Sequence, residues 1–179
     1  QSYNNLSAIL FKIGKYDEAI FYGKKALELN PCYAQAANNI GNAFYEKGLT
    51  EKAYEYFKKS IQIYPNYPDA NWNLSLYYLA KGNFQRGWEL FDLRWKTSIF
   101  KGQKIEFDKP VWSPSLKSNI LIWNEQGIGD EIQFSSILDE VRKDCEQMYV
   151  VADERLINLF NRSSFALLIA KSSSNINRP

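Results

Sequence analysis

Gly127, Gly129 and Asp130 stand together in "NEQGIGDEIQF" (124–134), between the apolar run "NILIW" and an amphipathic segment. That order reads as strand, glycine loop, helix. Loops of this kind cradle a phosphate on backbone N–H groups or place a catalytic acid at a helix start. A Walker loop is excluded, because no Gly-Lys-Ser/Thr follows the glycines. A dinucleotide fingerprint fits Gly127 and Gly129, but Ile132 occupies the place of the third small residue. In that reading Asp153, at the end of the next apolar run, would serve a ribose. Asp130 with Gln133 three residues on also spells an Asp-x-x-Gln capping box. Such a cap contributes on the order of 1 kcal/mol and needs no catalysis.

Composition narrows the chemistry further. The 179 residues include no histidine, which removes Ser-His-Asp and Cys-His catalysis and the zinc motifs that need histidine. Proton transfer would fall to Asp, Glu, Lys or Tyr. The two cysteines, Cys32 and Cys145, cannot build a four-thiolate site, so no metal is expected. They read as reduced thiols of a cytoplasmic protein, buried as small hydrophobes. A formal net charge of +2, from 22 basic and 20 acidic residues, gives no case for nucleic acid. Lys24-Lys25 and Lys58-Lys59 lie on helix patterns rich in Glu and read as solvated faces. No apolar run approaches the roughly 18 residues of a membrane helix. No signal-peptide pattern is present, and a start at Gln1 rather than Met leads us to expect an upstream piece.

The elements ahead of the loop repeat. Gly14, Gly48 and Gly82 are 34 residues apart, as are Leu6, Ile40 and Leu74, and Ser7, Gly41 and Ser75. Ala19, Ala53 and Gly87 keep the interval, and so do Pro31 and Pro65. Each copy reads as two amphipathic helices around a glycine turn, with Pro ending the first two copies. Small residues at 7, 41 and 75 allow the two helices to cross closely, with Ala19 and Ala53 facing them. One pair alone exposes its apolar face, so the pairs stack into a solenoid.

These positions resemble the tetratricopeptide repeat (TPR) family, in "NLSAILFKIGKYDEAIFYGKKALELNP" and its two following copies. The expected solenoid covers 1–95, with repeats at about 1–33, 34–67 and 68–95. Arg94-Trp95 replaces the small residue of the third copy and no Pro follows. That second helix is therefore expected to pack on something other than a fourth repeat. The resemblance implies a concave groove, lined by first helices, that holds a protein or extended peptide. Asn5, Asn39 and Asn73 line it at the 34-residue interval, joined by Asn4, Asn38 and Asn42. Such an asparagine ladder is similar to that of the repeats preceding O-GlcNAc transferases. Amides in a column can donate to and accept from a peptide backbone. The alternative is that they are hydrated or bridge neighbouring helices. Phe11, Tyr45, Trp72 and Leu76 would add apolar contact or pack as core. The line Lys12, Glu46, Ala80 is mixed in charge, which argues against a clamp for acidic C-termini.

Residues 96–118 read as an extended connection packed on the last repeat, with Phe107, Pro110 and Trp112 as anchors. From 119 to 170 the pattern becomes β-α-β-α: "NILIW", a helix over 130–143, "MYVVA", "DERLINLFNR", then "FALLIA" as a third strand. The fold class is thus mainly α, a three-repeat solenoid followed by a small, incomplete α/β, Rossmann-like unit and a polar tail, 171–179. One helix face is expected to carry Phe134, Ile137, Leu138 and Val141. "ILIWNEQGIGDEIQFSSIL", with "FQRGWELFDLRW" and "KPVW" before it, resembles the sugar-transferring domain that follows TPRs in many bacterial proteins. It is similar, more distantly, to the N-terminal half of heptosyltransferases of the GT-B fold. That resemblance implies Asp130 as general base toward an acceptor hydroxyl, with Gly127 and Gly129 admitting the acceptor. About 60 residues follow the linker, whereas a GT-B enzyme needs two domains of roughly 100–200 residues each. The expectation is therefore a truncated transferase segment, not competent alone and without a cofactor of its own. A full-length parent would use a nucleotide sugar. The short sheet also leaves an edge that would pair with a second copy.

Overall fold

The computed structural model describes residues 1–97, 109–114, 117–123 and 127–162, and the backbone of 167–171. Phe107, residues 124–126 and residues 172–179 of the expected tail lie outside these. The chain divides into two compact units, Gln1–Lys101 and Gly102–Pro179.

The first unit is three helix pairs: α1 (Ser2–Lys12) with α2 (Tyr16–Leu29), α3 (Ala34–Glu46) with α4 (Thr50–Ile63), and α5 (Pro68–Ala80) with α6 (Phe84–Phe91). Each pair reverses at a glycine in the left-handed region: Gly14 at φ 79°, Gly48 at 73° and Gly82 at 75°. A side chain there is strained, which is why the period keeps glycine. The turns close in one way. The Gly14 amide donates to the Phe11 carbonyl (3.0 Å) and the Lys15 amide to the Leu10 carbonyl (2.9 Å). The same two bonds recur after α3 and α5, a Schellman closure that satisfies the helix-end carbonyls.

The small residues sit where the helices cross. The Ser7 hydroxyl donates to the Ala19 carbonyl at 2.7 Å, and Ser75 to the Gly87 carbonyl at 2.9 Å. In the middle pair Gly41 takes that position, and the Phe57 ring fills the space a Cβ would need. Ala19, Ala36, Ala37, Ile40 and Ala43 have no exposed surface, so the core is made of close helix contacts rather than bulky side chains. Between pairs, Lys47 meets Asp17, and 34 residues on Lys81 meets Glu51 at 2.6 Å. Lys81, and then the Tyr77 hydroxyl, hold the Glu51 carboxyl below its usual range.

The third pair ends differently, as its sequence departure suggested. α6 stops at Phe91 and the chain tightens into a 3-10 helix, Asp92–Lys96, that packs against α5. Arg94 is buried where the earlier copies carry Ala26 and Ser60. Its guanidinium lies 4.2 Å from the Phe91 ring centroid and donates to the Asp92 carboxylate at 2.9 Å. A buried cation is tolerated there because aromatic faces and hydrogen bonds replace its water.

In the second unit β1 (Asn119–Trp123), β2 (Gln147–Asp153) and β3 (Leu167–Lys171) form a parallel sheet in that order. β1 and β2 are joined through α7 (Ile128–Ser135) and α8 (Leu138–Lys143), and β2 and β3 through α9 (Glu154–Phe160). Lys171, expected to open the tail, ends β3. Met148, Val150 and Ala152 alternate into a core with Ile120, Leu138 and Phe160, while Leu121 is left 39% exposed. The described sheet therefore buries one face well, not both as a continuous apolar run suggests. Trp112, one of the expected linker anchors, packs against this sheet core. Cys145 is half-buried there, and Cys32 is exposed rather than buried.

The single helix expected over 130–143 is broken. The Ser135 and Ser136 hydroxyls donate back to the Ile132 and Gln133 carbonyls at 2.7 and 2.9 Å. Such back-bonding competes with the helical ladder and bends it. Phe134 and Ile137 end up more than half exposed, and only Leu138 of the expected face is fully buried.

Gly41→Val forces a branched side chain into the Phe57 ring. It should lower unfolding stability by roughly 1–3 kcal/mol, read as a lower urea midpoint with unchanged m.

Candidate functional site

The repeat register lays α1, α3 and α5 side by side, and their asparagines meet across the joints. Asn39 donates to the Asn4 Oδ1 at 3.0 Å, and Asn4 in turn donates to the Tyr33 hydroxyl at 3.2 Å. Asn73 donates to the Asn38 Oδ1 at 3.0 Å and to the Asn42 Oδ1 at 2.8 Å. The six amides thus fall into two sets. Asn4 and Asn38 are buried acceptors, and Asn39 and Asn73 are half-buried donors one repeat further on. Asn5 heads that column, exposed; its backbone amide donates to the Gln1 carbonyl at 3.0 Å, and its side chain makes no hydrogen bond among the described residues.

This wiring decides what remains for a ligand. Asn73 has both N–H groups committed, so it offers only its oxygen. Asn39 keeps one N–H and its oxygen, and Asn42 keeps its N–H groups. The face therefore offers side-chain oxygens at Asn39 and Asn73 and N–H groups at Asn39 and Asn42. Tyr45 stands beside it half exposed, at 50%. Trp72 is less available: its ring packs on Phe91 at 5.1 Å between centroids, inside the third repeat. Phe11 likewise packs on Tyr16 at 5.8 Å.

Sequence reasoning missed Tyr33, Tyr67 and Asp69. Tyr33 and Tyr67 are themselves 34 residues apart, so the period contained the signal. Asp69 lies one helical turn before Asn73, and its Oδ1 is buried without a hydrogen-bond partner. Burial first, and then the nearby Asp69 charge, push the Tyr67 phenol up to about 12.

The glycine loop is arranged differently from its expected capping box. Gly127, not Asp130, is the N-cap of α7, and Asp130 is the third residue of the helix. Its Oδ2 accepts from the Gly127 amide at 3.2 Å, reaching back over the first turn. Gln133 is exposed and caps nothing. Among the described residues neither Gly127 nor Gly129 has a neighbour within 4 Å of an added Cβ, so their packing does not demand glycine at either. Glu131 accepts from the Asp153 amide at 2.9 Å, tying α7 to the end of β2. The Asp153 carboxylate caps α9 and takes two further bonds from the Arg155 guanidinium at 2.8 Å. The three described strands run in sequence order, without the reversal at which open α/β sheets form a ligand crevice. Among the described residues no group of three potential metal ligands occurs, and no helix is long and apolar enough to cross a membrane.

Comparison with known proteins agrees on the helical unit. Residues 1–31 and 34–67 match models of the tetratricopeptide repeat family, so the chain carries these repeats. Neither match extends past residue 67, and the parallel-sheet unit lies outside both. Among solved structures, MamA is 30% identical, with a TM-score of 0.47 over 51% of this chain and 53% of that one. The second TPR of Spaghetti (RPAP3), solved with the HSP90 peptide SRMEEVD, is 20% identical with a TM-score of 0.49, covering 51% and 85%. The Sgt2 TPR domain from Aspergillus fumigatus is 21% identical with a TM-score of 0.47, covering 51% and 61%. The chain spans about half the length of the MamA chain it matches, at 53%. No curated protein matches it.

The Tyr67 phenol contributes stability that is complete below its unfolded value near 10 and is lost as pH rises through about 12. Tyr67→Phe should remove one late-ionising phenol from a spectrophotometric titration and flatten the loss of stability over that window.

Proposed function

We propose that the asparagine-lined face of α1, α3 and α5 binds an extended protein segment through its backbone, making the repeats an interaction scaffold. The observation that supports this is the pair of side-chain oxygens on Asn39 and Asn73. Each residue is held by the preceding repeat, yet accepts no hydrogen bond among the described residues. Held in this way, the oxygens lose little rotamer freedom on binding, which favours affinity without demanding a particular ligand sequence. The mixed Lys12, Glu46, Ala80 line supplies no cluster of cations, so a ligand defined by terminal carboxylates is not the one favoured. Peptides selected by display against the whole chain supply the probe. The Asn39 and Asn73 side-chain NH₂ signals should shift on binding. Asn39→Ala with Asn73→Ala should weaken affinity by roughly five- to 150-fold, from two lost bonds of about 0.5–1.5 kcal/mol each. Equal affinity in a variant that still melts cooperatively rejects the reading.

A second reading concerns the parallel β1–α7–β2 unit, as the opening of a sugar-nucleotide-dependent transferase whose repeats recruit the acceptor. What favours it is the half-buried Asp130 carboxylate beside Gly127 and Gly129, where among the described residues nothing lies within 4 Å of an added Cβ. An acceptor hydroxyl could approach there and give its proton to Asp130. The described loop and first turn, 127–131, contain no Lys or Arg. They do not fit a nucleotide diphosphate, which must be held elsewhere in any such enzyme. In a parent protein with measurable transfer, Asp130→Asn should lower turnover at least 100-fold while leaving the fold intact. Full activity in that variant removes the base assignment.

A further inference from the structure

We infer that the extended segment bound on the asparagine face carries a lysine or arginine, whose cation docks on Asp69 beside the backbone contact at Asn73. This rests on the binding reading above and adds one side-chain requirement to it. Asp69 precedes Asn73 by four residues on α5, so the two share a helix face. They stand about 6 Å apart along the axis, the reach of one ligand side chain. The same offset places Gln35 before Asn39 on α3, and Gln35 is exposed. Of the repeat-equivalent residues Gln1, Gln35 and Asp69, only Asp69 carries a charged side chain. A backbone lying across Asn39 and Asn73 sends alternate side chains to opposite edges of the face, and this row is one of those edges.

Charge identifies the occupant. The row 35, 39, 42, 46 on α3 and the row 69, 73, 76, 80 on α5 hold two acids, Glu46 and Asp69, and no Lys or Arg. Lys47 and Lys81, which cap α3 and α5, are committed to Asp17 and Glu51. No ion pair involves Asp69 among the described residues. An acid in a first helical turn is favoured by the dipole, yet no amide of that turn bonds the Asp69 Oδ1, which is buried without a partner. A carboxylate oxygen cut off from water and from donors leaves its charge under-solvated, and an incoming cation restores part of what burial removed. The Tyr67 phenol feels the same charge: burial, and then Asp69, push it up to about 12. Asp69 is half-buried rather than enclosed, so the cation keeps part of its hydration and the desolvation cost stays small. Glu46 is exposed, and water screens it.

Two random peptide libraries, identical except for a fixed central Lys in one and a fixed central Glu in the other, test this by selection against the full chain. The Lys library should supply the tighter binders. Replacing that Lys by Gln in a selected peptide should weaken binding to the wild-type chain roughly two- to fivefold, and should change nothing in Asp69→Asn. Asp69→Lys should turn the preference toward the Glu library, while Glu46→Gln should leave it as it was. Circular dichroism melts check that each variant folds. A measurement on the wild-type chain needs no variant: the Asp69 carboxyl carbon signal should shift with the Lys peptide and not with its Gln version. Peptides that weaken in Asn39→Ala with Asn73→Ala but show no Lys preference overturn this inference and leave the backbone reading standing. A Lys preference that persists in Asp69→Asn does the same. Peptides indifferent to the two asparagines, or no binder from either library, overturn both.

Discussion

The close crossing of the two helices within each repeat is the constraint on which the first unit depends. At Ser7 the approach is short enough for a side-chain hydroxyl to reach the carbonyl of Ala19 on the facing helix, and Ser75 does the same to Gly87. Neither hydroxyl then interrupts its own helix, so serine is tolerated mid-helix because its partner lies across the crossing. A larger residue would push the pair apart, and the stack would lose the dense alanine-rich contacts that bury Ala36, Ala37 and Ala43 completely. The crossing sets the tilt of each pair. The tilt in turn sets how α1, α3 and α5 lie side by side. Only with that spacing do amides 35 and 31 residues apart come within hydrogen-bond reach.

The asparagines therefore have a structural duty before any ligand arrives. Asn4 and Asn38 are buried, and a buried amide without partners costs more than its hydrogen bonds return. Their oxygens are met by Asn39 and Asn73 of the next repeat, and that pairing works at one offset between repeats only. A slip of one residue would leave four polar groups without partners in a close-packed joint. The ladder thus fixes the register between repeats in the way polar groups buried in a helix interface select one alignment. Bridging between helices and peptide recognition, posed by the sequence as alternatives, are compatible here. The bridge uses the N–H groups and leaves the outer oxygens.

What was legible in the sequence was whatever the period repeats. Gly14, Gly48 and Gly82 each occupy the left-handed turn, and Ser7 and Ser75 each reach across their crossing. Repetition made these readable because three copies of one environment select the same residue type. The errors fell where an environment occurs once. Trp72 shares its column with Asn4 and Asn38 but turns to Phe91, because α6 ends early and brings the 3-10 helix against α5. The break near Ser136 is set by two adjacent hydroxyls bonding to carbonyls three residues back, a local competition that apolar spacing does not report. The Asp130 cap was expected, but from the wrong position. Gly127 takes the N-cap and leaves Asp130 to reach back to its amide.

That last shift changes what Asp130 can do. As an N-cap it would have held N–H groups inside the first turn. As the third helical residue it accepts one bond at 3.2 Å, from the amide of a glycine on the loop side. A carboxylate has about four acceptor sites, so one long bond leaves most of them open to solvent or to a ligand. The bond to the Gly127 amide commits one of those sites to closing the first turn of α7, a structural role that needs no chemistry.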